Sequence, residues 1–511
     1  MSDRLESKRM FFKTQYWPTI LKMAIPIVIA MLTQTAINIL DTVMVGWLDP
    51  SYAVAGQAAL GFSTPLLWLF GGFLSAISIG TLAIVARRQG ENNYQFAGAA
   101  LTNSVTVAII SSLVVGTLAY YFVPNIFRLL IDNDAVIAFG VPYARYRLLG
   151  ILSMVTTAAI KSFFDGTNKT YVHMVAAIVM NVANIVLNYC LIFGVGPFPE
   201  MNVAGAGCAS LIATYIGLAI MIGWSLLPKI RKQYRVYRPS DLHAKTAWDI
   251  IRVSVPSGCA NIFVMSGFLI FFKFVGLLDE KASADMVLGT SPYAGETFPA
   301  WLNAQNNFLD TTLGTNAIWN SDLSVELLSS TLPVYSSSSN LLVSILSVTF
   351  MSAMAFGTAT ASLVSQSLGK KDPKLAETYA YESAKIASIL FIGLGIFTFC
   401  CSEMIVGWLS SVDPVIEVTA SVLRLLSGAL FIVACALIFT QSLFGAGNTK
   451  FVMCVEFVLH LLCLIPISYL LGITLDLGIL GMWGAVILYA AALCTIMFCK
   501  LKNGSWKKIQ L

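Results

Sequence analysis

Residues 17–47 read WPTILKMAIPIVIAMLTQTAINILDTVMVGW and hold only two charged side chains, Lys22 and Asp41. A helix of about 20 apolar residues crosses a lipid bilayer, so this run is long enough to span one. It is too long for the core of a signal peptide and lacks a small-residue cleavage site. Similar runs follow, and together they predict twelve transmembrane helices (spans 1 to 12) at 17–47, 53–85, 96–123, 142–164, 171–195, 203–227, 248–278, 335–365, 380–408, 418–444, 451–472 and 478–499.

The composition of the 511 residues excludes a water-soluble globular protein, since 57% are hydrophobic and only 11% are charged. Soluble domains carry about 25% charged residues. The ten cysteines lie in or beside apolar runs, and none has the CxxC spacing of a zinc site. No Ser/His/Asp, paired-carboxylate or phosphate-binding glycine arrangement occurs in a usable context. We therefore expect a membrane protein that is not an enzyme and needs no cofactor.

The basic residues define the orientation, because Lys and Arg favour cytoplasmic loops. With the N-terminus in the cytoplasm, 25 of the 31 basic residues fall on that side, seven of them in the linker 228–252. We interpret this linker as a cytoplasmic loop and not as a nucleic-acid site. The prediction is a monomeric, multi-pass protein of the plasma (inner) membrane, surrounded by the lipid bilayer, with cytoplasmic N- and C-termini.

The chain repeats itself. An offset of 230 aligns Pro26 with Pro256, and an offset of 279 aligns VARRQG at 85–90 with VSQSLG at 364–369. Each repeat holds six spans, and an even number gives both the same orientation. The sequence therefore predicts two six-helix bundles, 1–235 and 236–511, related by a pseudo-two-fold axis along the membrane normal. Transporters place a substrate path between such halves.

The jump between the two offsets locates about 49 extra residues between spans 7 and 8. This segment, 280–334, is acidic and is predicted to lie on the extracytoplasmic side. Two interpretations stay open for it, a partly disordered insertion or a cap over the outer vestibule.

Asp41 is the main candidate for function, because an ionisable residue within the membrane is costly. Two further spans bring polar residues to a comparable depth, Asn184 with Asn188 in span 5 and Ala206 with Ser210 in span 6, each pair on one helical face. Oxygen ligands of this kind suit a hard cation, and a buried carboxyl group suits proton exchange. No metal other than sodium at Asp41 is expected. The alternative is that these groups only bond helices together.

Glu456 is a secondary candidate, with His460 one turn further along span 11. The pair is either a second protonation site or an interhelical hydrogen bond. The repeat offers no direct counterpart of the first site, because Asp41 aligns with Phe271 at the offset of 230. We therefore favour the N-terminal half for coupling. Pro26 lacks the N–H needed for a helical hydrogen bond and gives span 1 a bend point, or hinge.

The chain resembles the multidrug and toxic compound extrusion (MATE) family over nearly its whole length. The segments that carry the resemblance are LDTVMVG at 40–46, VARRQGENN at 85–93, NIVLNY at 184–189, VAGAGCAS at 203–210 and SQSLGKKDP at 365–373. The resemblance implies a V-shaped pair of bundles and export of organic cations driven by sodium or protons. It also implies a cation site at Asp41, Asn184 and Asn188, with Ser210 standing where a Thr is common and Ala206 offering a backbone carbonyl.

Two departures from the family pattern concern the C-terminal half. The stretch CANIFVMSG at 259–267 lacks the acidic residue that many members carry, and 418–444 lacks the Asp that some carry. The resemblance therefore does not bring a second cation site to this half.

The leading hypothesis is a cation-coupled antiporter, driven by protons or sodium, that exports amphipathic, cationic drugs and toxic compounds by alternating access. The alternative is a flippase for lipid-linked precursors, although such a flippase would need basic residues at mid-membrane, where this chain offers essentially none. A channel is a third hypothesis, but two repeated bundles fit alternating access better than a continuous pore.

Overall fold

The computed structural model describes residues 13–48, 56, 59–60, 63, 66–130, 134–287, 334–410 and 413–509. Within them every regular element is helical. The main helices are α1 Trp17–Gly46, α2 Ile77–Gly90, α3 Tyr94–Leu130, α4 Asp134–Leu149, α5 Ile151–Gly166, α6 Tyr171–Phe193, α7 Asn202–Ser225, α8 Pro228–Tyr234, α9 Ala244–Val287, α10 Val334–Gly369, α11 Pro373–Cys400, α12 Ser402–Gly407, α13 Asp413–Ser427, α14 Leu430–Gly445, α15 Thr449–Leu459, α16 Ile465–Tyr469 and α17 Gly478–Asn503. Turns of π-helix at Trp68–Gly72, His460–Leu464 and Leu470–Thr474 adjoin α2 and α16.

Eleven helical segments of the described chain are long and apolar enough to cross a membrane, and α13 with α14 makes a twelfth span bent by 57°. The prediction of an all-α membrane protein with twelve spans is confirmed. Span 4 differs in detail, because it comprises α4 and α5, which meet at Gly150. The Gly150 N–H bonds two carbonyls of the preceding turn, which tightens the chain there.

The extra segment between spans 7 and 8 falls largely on 288–333, outside the described residues. Its two flanks are joined by Asp279 near the end of α9. The Asp279 carboxylate accepts hydrogen bonds from the backbone N–H groups of Tyr335 at 2.8 Å and Ser336 at 3.0 Å. A carboxylate at a helix N-terminus satisfies N–H groups that have no partner within the helix. Asp279 therefore caps α10 from the preceding helix.

The predicted cytoplasmic loops meet at one end of the bundle, which we call the basic end. Lys169 donates to the Tyr234 hydroxyl at 3.1 Å, and that hydroxyl donates to Gln89 at 3.1 Å. Burial raises the pKa of Tyr234 to about 12, so its hydroxyl keeps the proton that it donates. The same burial, together with Lys229, lowers the pKa of Lys169. The basic linker is therefore packed against the two loops before α3 and α6.

The first helices of the two repeats cross over at the basic end. Ile20 and Ile27 of α1 are fully buried in the core formed by α10, α11 and α14. In return Ile250, which aligns with Ile20 at the offset of 230, is fully buried in the core of α2, α3 and α5. Each half thus holds the start of the other half's first helix. The two predicted bundles share their cores at this end.

Two glycines lie where α2 and α10 touch at the basic end, in the repeated segments VARRQG and VSQSLG. A Cβ atom on Gly90 would overlap the carbonyl oxygen of Gln366, and one on Gly369 would overlap that of Arg87. The contact is reciprocal, because Arg87 and Gln366 correspond at the offset of 279. Two hydrogen bonds flank it, from Ser365 Oγ to the Ala83 carbonyl at 2.7 Å and from Ser362 Oγ to the Asp165 carbonyl at 2.8 Å. We call this contact the glycine latch.

Single cysteines at Glu200 and Gln233, both exposed, are expected to lie on opposite sides of the membrane. In intact cells an impermeant maleimide should label Glu200→Cys, whereas Gln233→Cys should react only after permeabilisation. The parent chain gives the background from the native cysteines. Labelling of both positions from outside would contradict the orientation that the basic residues predict.

Candidate functional site

The polar residues predicted at one depth of the N-terminal half do form one cluster. Asn188 Nδ2 donates to Asp41 Oδ1 at 2.5 Å and to Asn184 Oδ1 at 3.2 Å. Ser210 Oγ donates to Asp41 Oδ2 at 3.4 Å and accepts from Asn184 Nδ2 at 3.2 Å. All four side chains are buried. Helices α1, α6 and α7 therefore meet around one carboxylate, which we call the Asp41 cluster.

Small residues of α7 allow these helices to approach closely. A Cβ atom on Gly205 would lie 2.5 Å from the Leu191 carbonyl oxygen of α6, and one on Gly207 would lie 2.8 Å from the Tyr143 carbonyl oxygen of α4. Small residues at such interfaces let helix backbones pack in contact. The motif VAGAGCAS thus places Ser210 within reach of α6 and α1.

The cluster lies beside an apolar layer. Ala206, fully buried, packs with Met44, Val45, Tyr143 and Ile192. An ionised carboxylate in such surroundings is costly unless a cation or hydrogen-bond donors compensate it. Arg147 on α4 offsets part of this cost, because its positive charge attracts the Asp41 carboxylate. The sequence assigned Arg147 only to the outer side and gave no sign of this role.

The cluster has unused capacity to accept a cation or a proton donor. Asn188 Oδ1 is buried and accepts no hydrogen bond from any described residue. About two helical turns from Asn188 towards the basic end, neither amide atom of buried Asn181 finds a partner among them either. Asn181, Asn184 and Asn188 lie on one face of α6, since residues three and four apart are neighbours on a helix. Sequence reasoning missed Asn181, although its spacing to Asn184 and Asn188 was a usable signal.

Pro26 lies inside α1, which continues from Trp17 to Gly46 without a break. It lies within the part of α1 that packs in the C-terminal half, between Ile20 and Ile27, and Asp41 follows further along the helix. Because proline has no N–H, the Lys22 carbonyl lacks its helical partner. The hydrogen bonding of α1 is therefore weakened at this point, ahead of the turns that carry Asp41.

Glu456 and His460 are also buried side by side, as their spacing predicted. His460 Nδ1 lies 3.3 Å from Glu456 Oε2, and Tyr489 on α17 donates its hydroxyl to the same carboxylate oxygen at 2.8 Å. No pattern in the sequence singles out Tyr489, because it is one of 18 tyrosines and is distant along the chain. The pair therefore does bond two helices, and it keeps a carboxylate and an imidazole together inside the membrane.

These features define a class of protein. Two repeated six-helix halves, joined at one end and holding a buried polar cluster at mid-membrane, make up a polytopic membrane transporter. The sequence profile of the MatE family matches residues 26–190 and 331–470, more than half of the chain. The chain belongs to the MATE family of multidrug transporters. This is a family of transporters and not of enzymes, which supports a non-enzymatic role.

Relatives and solved structures agree with this assignment. The chain is 22% identical over 503 residues to the "Probable multidrug resistance protein NorM" of Thermotoga maritima, covering 96% of this chain and 93% of the relative. It is 23% identical over 275 residues to the "FAD transporter" of Shewanella oneidensis, covering 53% and 59%. A structure described as an "Outward-facing conformation of a multidrug resistance MATE family transporter of the MOP superfamily" matches with a TM-score of 0.79 and 17% identity, covering 96% of each chain.

Proposed function

We propose that the chain is a cation-coupled antiporter that exports amphipathic, cationic drugs and toxic compounds by alternating access, driven by protons or sodium. The observation that carries the proposal is the Asp41 cluster. A carboxylate, two amides and a hydroxyl converge on one buried point, and the Asn188 amide oxygen is left without a described hydrogen-bond partner. Such a set of oxygens suits one proton or one sodium ion.

The path of α1 supports a coupling mechanism. Its first turns are held in the C-terminal half through Ile20 and Ile27, and its later turns carry Asp41 into the N-terminal half. A change of charge at Asp41 alters how the second part packs, while the first part stays fixed. The missing helical hydrogen bond at Pro26 makes α1 easier to bend ahead of these later turns. An ion can shift such an equilibrium only through its different affinity for the two states, and a buried carboxylate provides that difference.

The position of the charges supports organic cations as substrates. Lys169 and Arg87 donate hydrogen bonds at the basic end, whereas the Asp41 cluster is built around a carboxylate. Relatives described as multidrug resistance proteins fit this proposal. The relative described as an FAD transporter carries an anionic compound, so an anionic probe belongs in the test. We further propose a monomer in the plasma membrane, with cytoplasmic termini.

The proposal is tested in proteoliposomes in which the proton and sodium gradients are imposed separately. Ethidium serves as the cationic probe and FAD as the anionic one. One gradient alone is expected to drive ethidium against its concentration difference, and the other to have little effect. FAD should not move. Ethidium transport at equal rates with both gradients collapsed would contradict antiport, and gradient-driven movement of FAD alone would contradict the substrate class.

Variants of the uncharged members of the Asp41 cluster test whether they act as ligands of the ion. Asn184→Ala and Ser210→Ala each remove one uncharged partner of the cluster. Each is expected to raise the ion concentration needed for half-maximal transport about 5- to 10-fold, because a typical hydrogen bond contributes about 1 kcal/mol net, and about 1.4 kcal/mol corresponds to a tenfold change. The maximal rate should change less. An unchanged ion dependence in both variants would argue against their role as ligands.

A further inference from the structure

A second carboxylate is held in the membrane by the C-terminal half. Glu456 is 6% exposed and His460 is fully buried. The carboxylate oxygen Oε2 lies within 3.3 Å of the His460 Nδ1 atom and accepts a 2.8 Å hydrogen bond from Tyr489. The His460 and Tyr489 rings are 4.5 Å apart, centroid to centroid. The three side chains form one compact group, which we call the Glu456 group.

One ring nitrogen of His460 has no hydrogen-bond partner among the described residues. His460 Nδ1 bonds the Glu456 backbone oxygen at 2.9 Å, whereas the buried Nε2 finds no hydrogen-bond partner among the described residues. The imidazole is pressed against α9, where a Cβ atom on Gly267 would lie 2.7 Å from His460 Cδ2. His460 also begins a turn of π-helix, a feature frequent at functional sites.

The Glu456 group occupies the helices that correspond to those of the Asp41 cluster. α9 is the repeat of α1, as Pro256 matches Pro26. α15 is the repeat of α6, since both follow the matched turns FDGTN and FGAGN. α17 is the repeat of α7, with Gly481 matching Gly205. Both halves thus build a carboxylate group from their first, fifth and sixth spans. In the C-terminal half the carboxylate comes from the fifth span, because α9 has Phe271 where α1 has Asp41.

We propose that Glu456, His460 and Tyr489 form a second proton-binding site, so that the C-terminal half binds and releases one proton in each transport cycle. The inference rests on the proposed function and adds a second ion to it. In the loaded form one proton is shared by the Glu456 carboxyl and the His460 imidazole, and the pair is neutral overall. Release leaves a carboxylate stabilised by the Tyr489 hydroxyl, which keeps its own proton. No other reactant is needed.

The described surroundings of the group give Glu456 no basic partner other than His460. Among the described residues neither Lys nor Arg forms an ion pair with Glu456. Lys273 on α9 is exposed and lies about 9 Å along the helix from Gly267 at 1.5 Å per residue. Other titratable side chains on these spans and on the neighbouring α14 are the thiols of Cys259, Cys435, Cys454, Cys463, Cys494 and Cys499. The remaining described charged side chains of α9, α15 and α17 lie towards the helix ends, at Lys245, Asp249, Arg252, Asp279, Glu280, Lys281, Lys450, Lys500 and Lys502. A lone carboxylate there costs several kcal/mol unless it is protonated or paired.

The test uses infrared difference spectra of the purified protein between about pH 5 and pH 9, a range that includes the pH values at which an ordinary imidazole changes charge. It needs no substrate. The wild-type protein is expected to show a protonated-carboxyl band that disappears at high pH. Glu456→Gln should remove it while keeping the hydrogen bond from Tyr489 and hence the fold. Tyr489→Phe should shift its frequency, because the carboxyl loses a partner. Asp41→Asn should leave it in place.

A purely structural role for the group predicts a different result. The Glu456 band would then stay constant across the pH range, or Glu456→Gln would leave the difference spectrum unchanged, and either outcome overturns the proposal. Gly267→Ala, which displaces the imidazole without touching the carboxyl, should alter the pH at which the band disappears. The Asp41 proposal is tested independently, because its failure would appear in the transport of Asp41→Asn and not in this band.

Discussion

Asp41→Asn is expected to fold, to reach the membrane and to lose transport against a gradient. Asparagine keeps the size of the side chain. Its amide oxygen can accept from Asn188 and its amide nitrogen can donate to the Ser210 hydroxyl, the two groups that bond the carboxylate at 2.5 and 3.4 Å. It cannot release a proton, and it attracts a cation far less. If the carboxylate contributes about 2.7 kcal/mol to the difference in ion affinity between the two states, its loss lowers ion-driven transport about 100-fold.

Ethidium accumulation in proteoliposomes under an imposed ion gradient measures this loss. Ethidium binding to the purified variant, followed by fluorescence anisotropy, separates lost coupling from lost substrate binding. Some binding should survive, because the substitution removes an ion ligand. The matched control is Ser210→Ala, which removes a neutral partner of the same carboxylate. Uphill transport by Asp41→Asn at the wild-type rate would show that the coupling site lies elsewhere.

The sequence predicted the parts of the fold and the site that depend on local patterns. Apolar runs located the twelve spans, and the spacing of Asn184 and Asn188 placed both on one face of α6. Depth estimated from helical rise then aligned them with Asp41 and Ser210, and the hydrogen bonds confirm that placement. These are predictions about single helices and their insertion depth. They need no knowledge of which helices are neighbours.

What the sequence could not give depends on tertiary neighbours. The exchange of Ile20 and Ile250 between the two cores follows from how the halves pack, and both positions read as ordinary apolar residues. Likewise, no sequence pattern places Arg147 near Asp41 or Tyr489 beside Glu456.

The sequence pointed to Glu456 and His460, but the repeat alignment concealed how this second carboxylate group corresponds to the first. Position-by-position comparison looked for an acid at Phe271, where the repeat of Asp41 should be. The C-terminal half instead carries its acid, Glu456, on α15. This helix leads directly into His460, which packs against α9 at Gly267. A comparison by helix, without insisting on the same residue position, is needed to see the correspondence.

The glycine latch determines how closely the halves meet at the basic end. Gly90 and Gly369 each face a backbone carbonyl of the opposite half, namely those of Gln366 and Arg87. Side chains can rotate away from an added methyl group, but a helix backbone cannot do so without moving the helix. A substitution with alanine must therefore separate α2 from α10. The hydrogen bond from Ser365 joins α10 to Ala83 of α2, and the one from Ser362 joins α10 to Asp165 of α5. Both link the two halves beside this contact and would be stretched with it.

Gly90→Ala and Gly369→Ala are expected to shift the transporter away from the state in which the basic end is closed. Losing two cross-half hydrogen bonds of about 1 kcal/mol each changes the ratio of closed to open states about 30-fold. Transport should fall by a similar factor, since each cycle needs both states. The control is Gly393→Ala in α11, where an added Cβ meets no atom within 4 Å; this variant should transport normally.

Spin labels at exposed Glu91 and Lys370, one on each side of the latch, report the separation directly by pulsed electron resonance. The wild-type protein is expected to populate a short distance, and both latch variants a longer one. The two substitutions are expected to have equal effects. Gly90 meets the carbonyl of Gln366 and Gly369 meets that of Arg87, and these are equivalent positions in the two repeats. A wild-type distance in either variant, together with wild-type transport, would mean that the halves close without this contact.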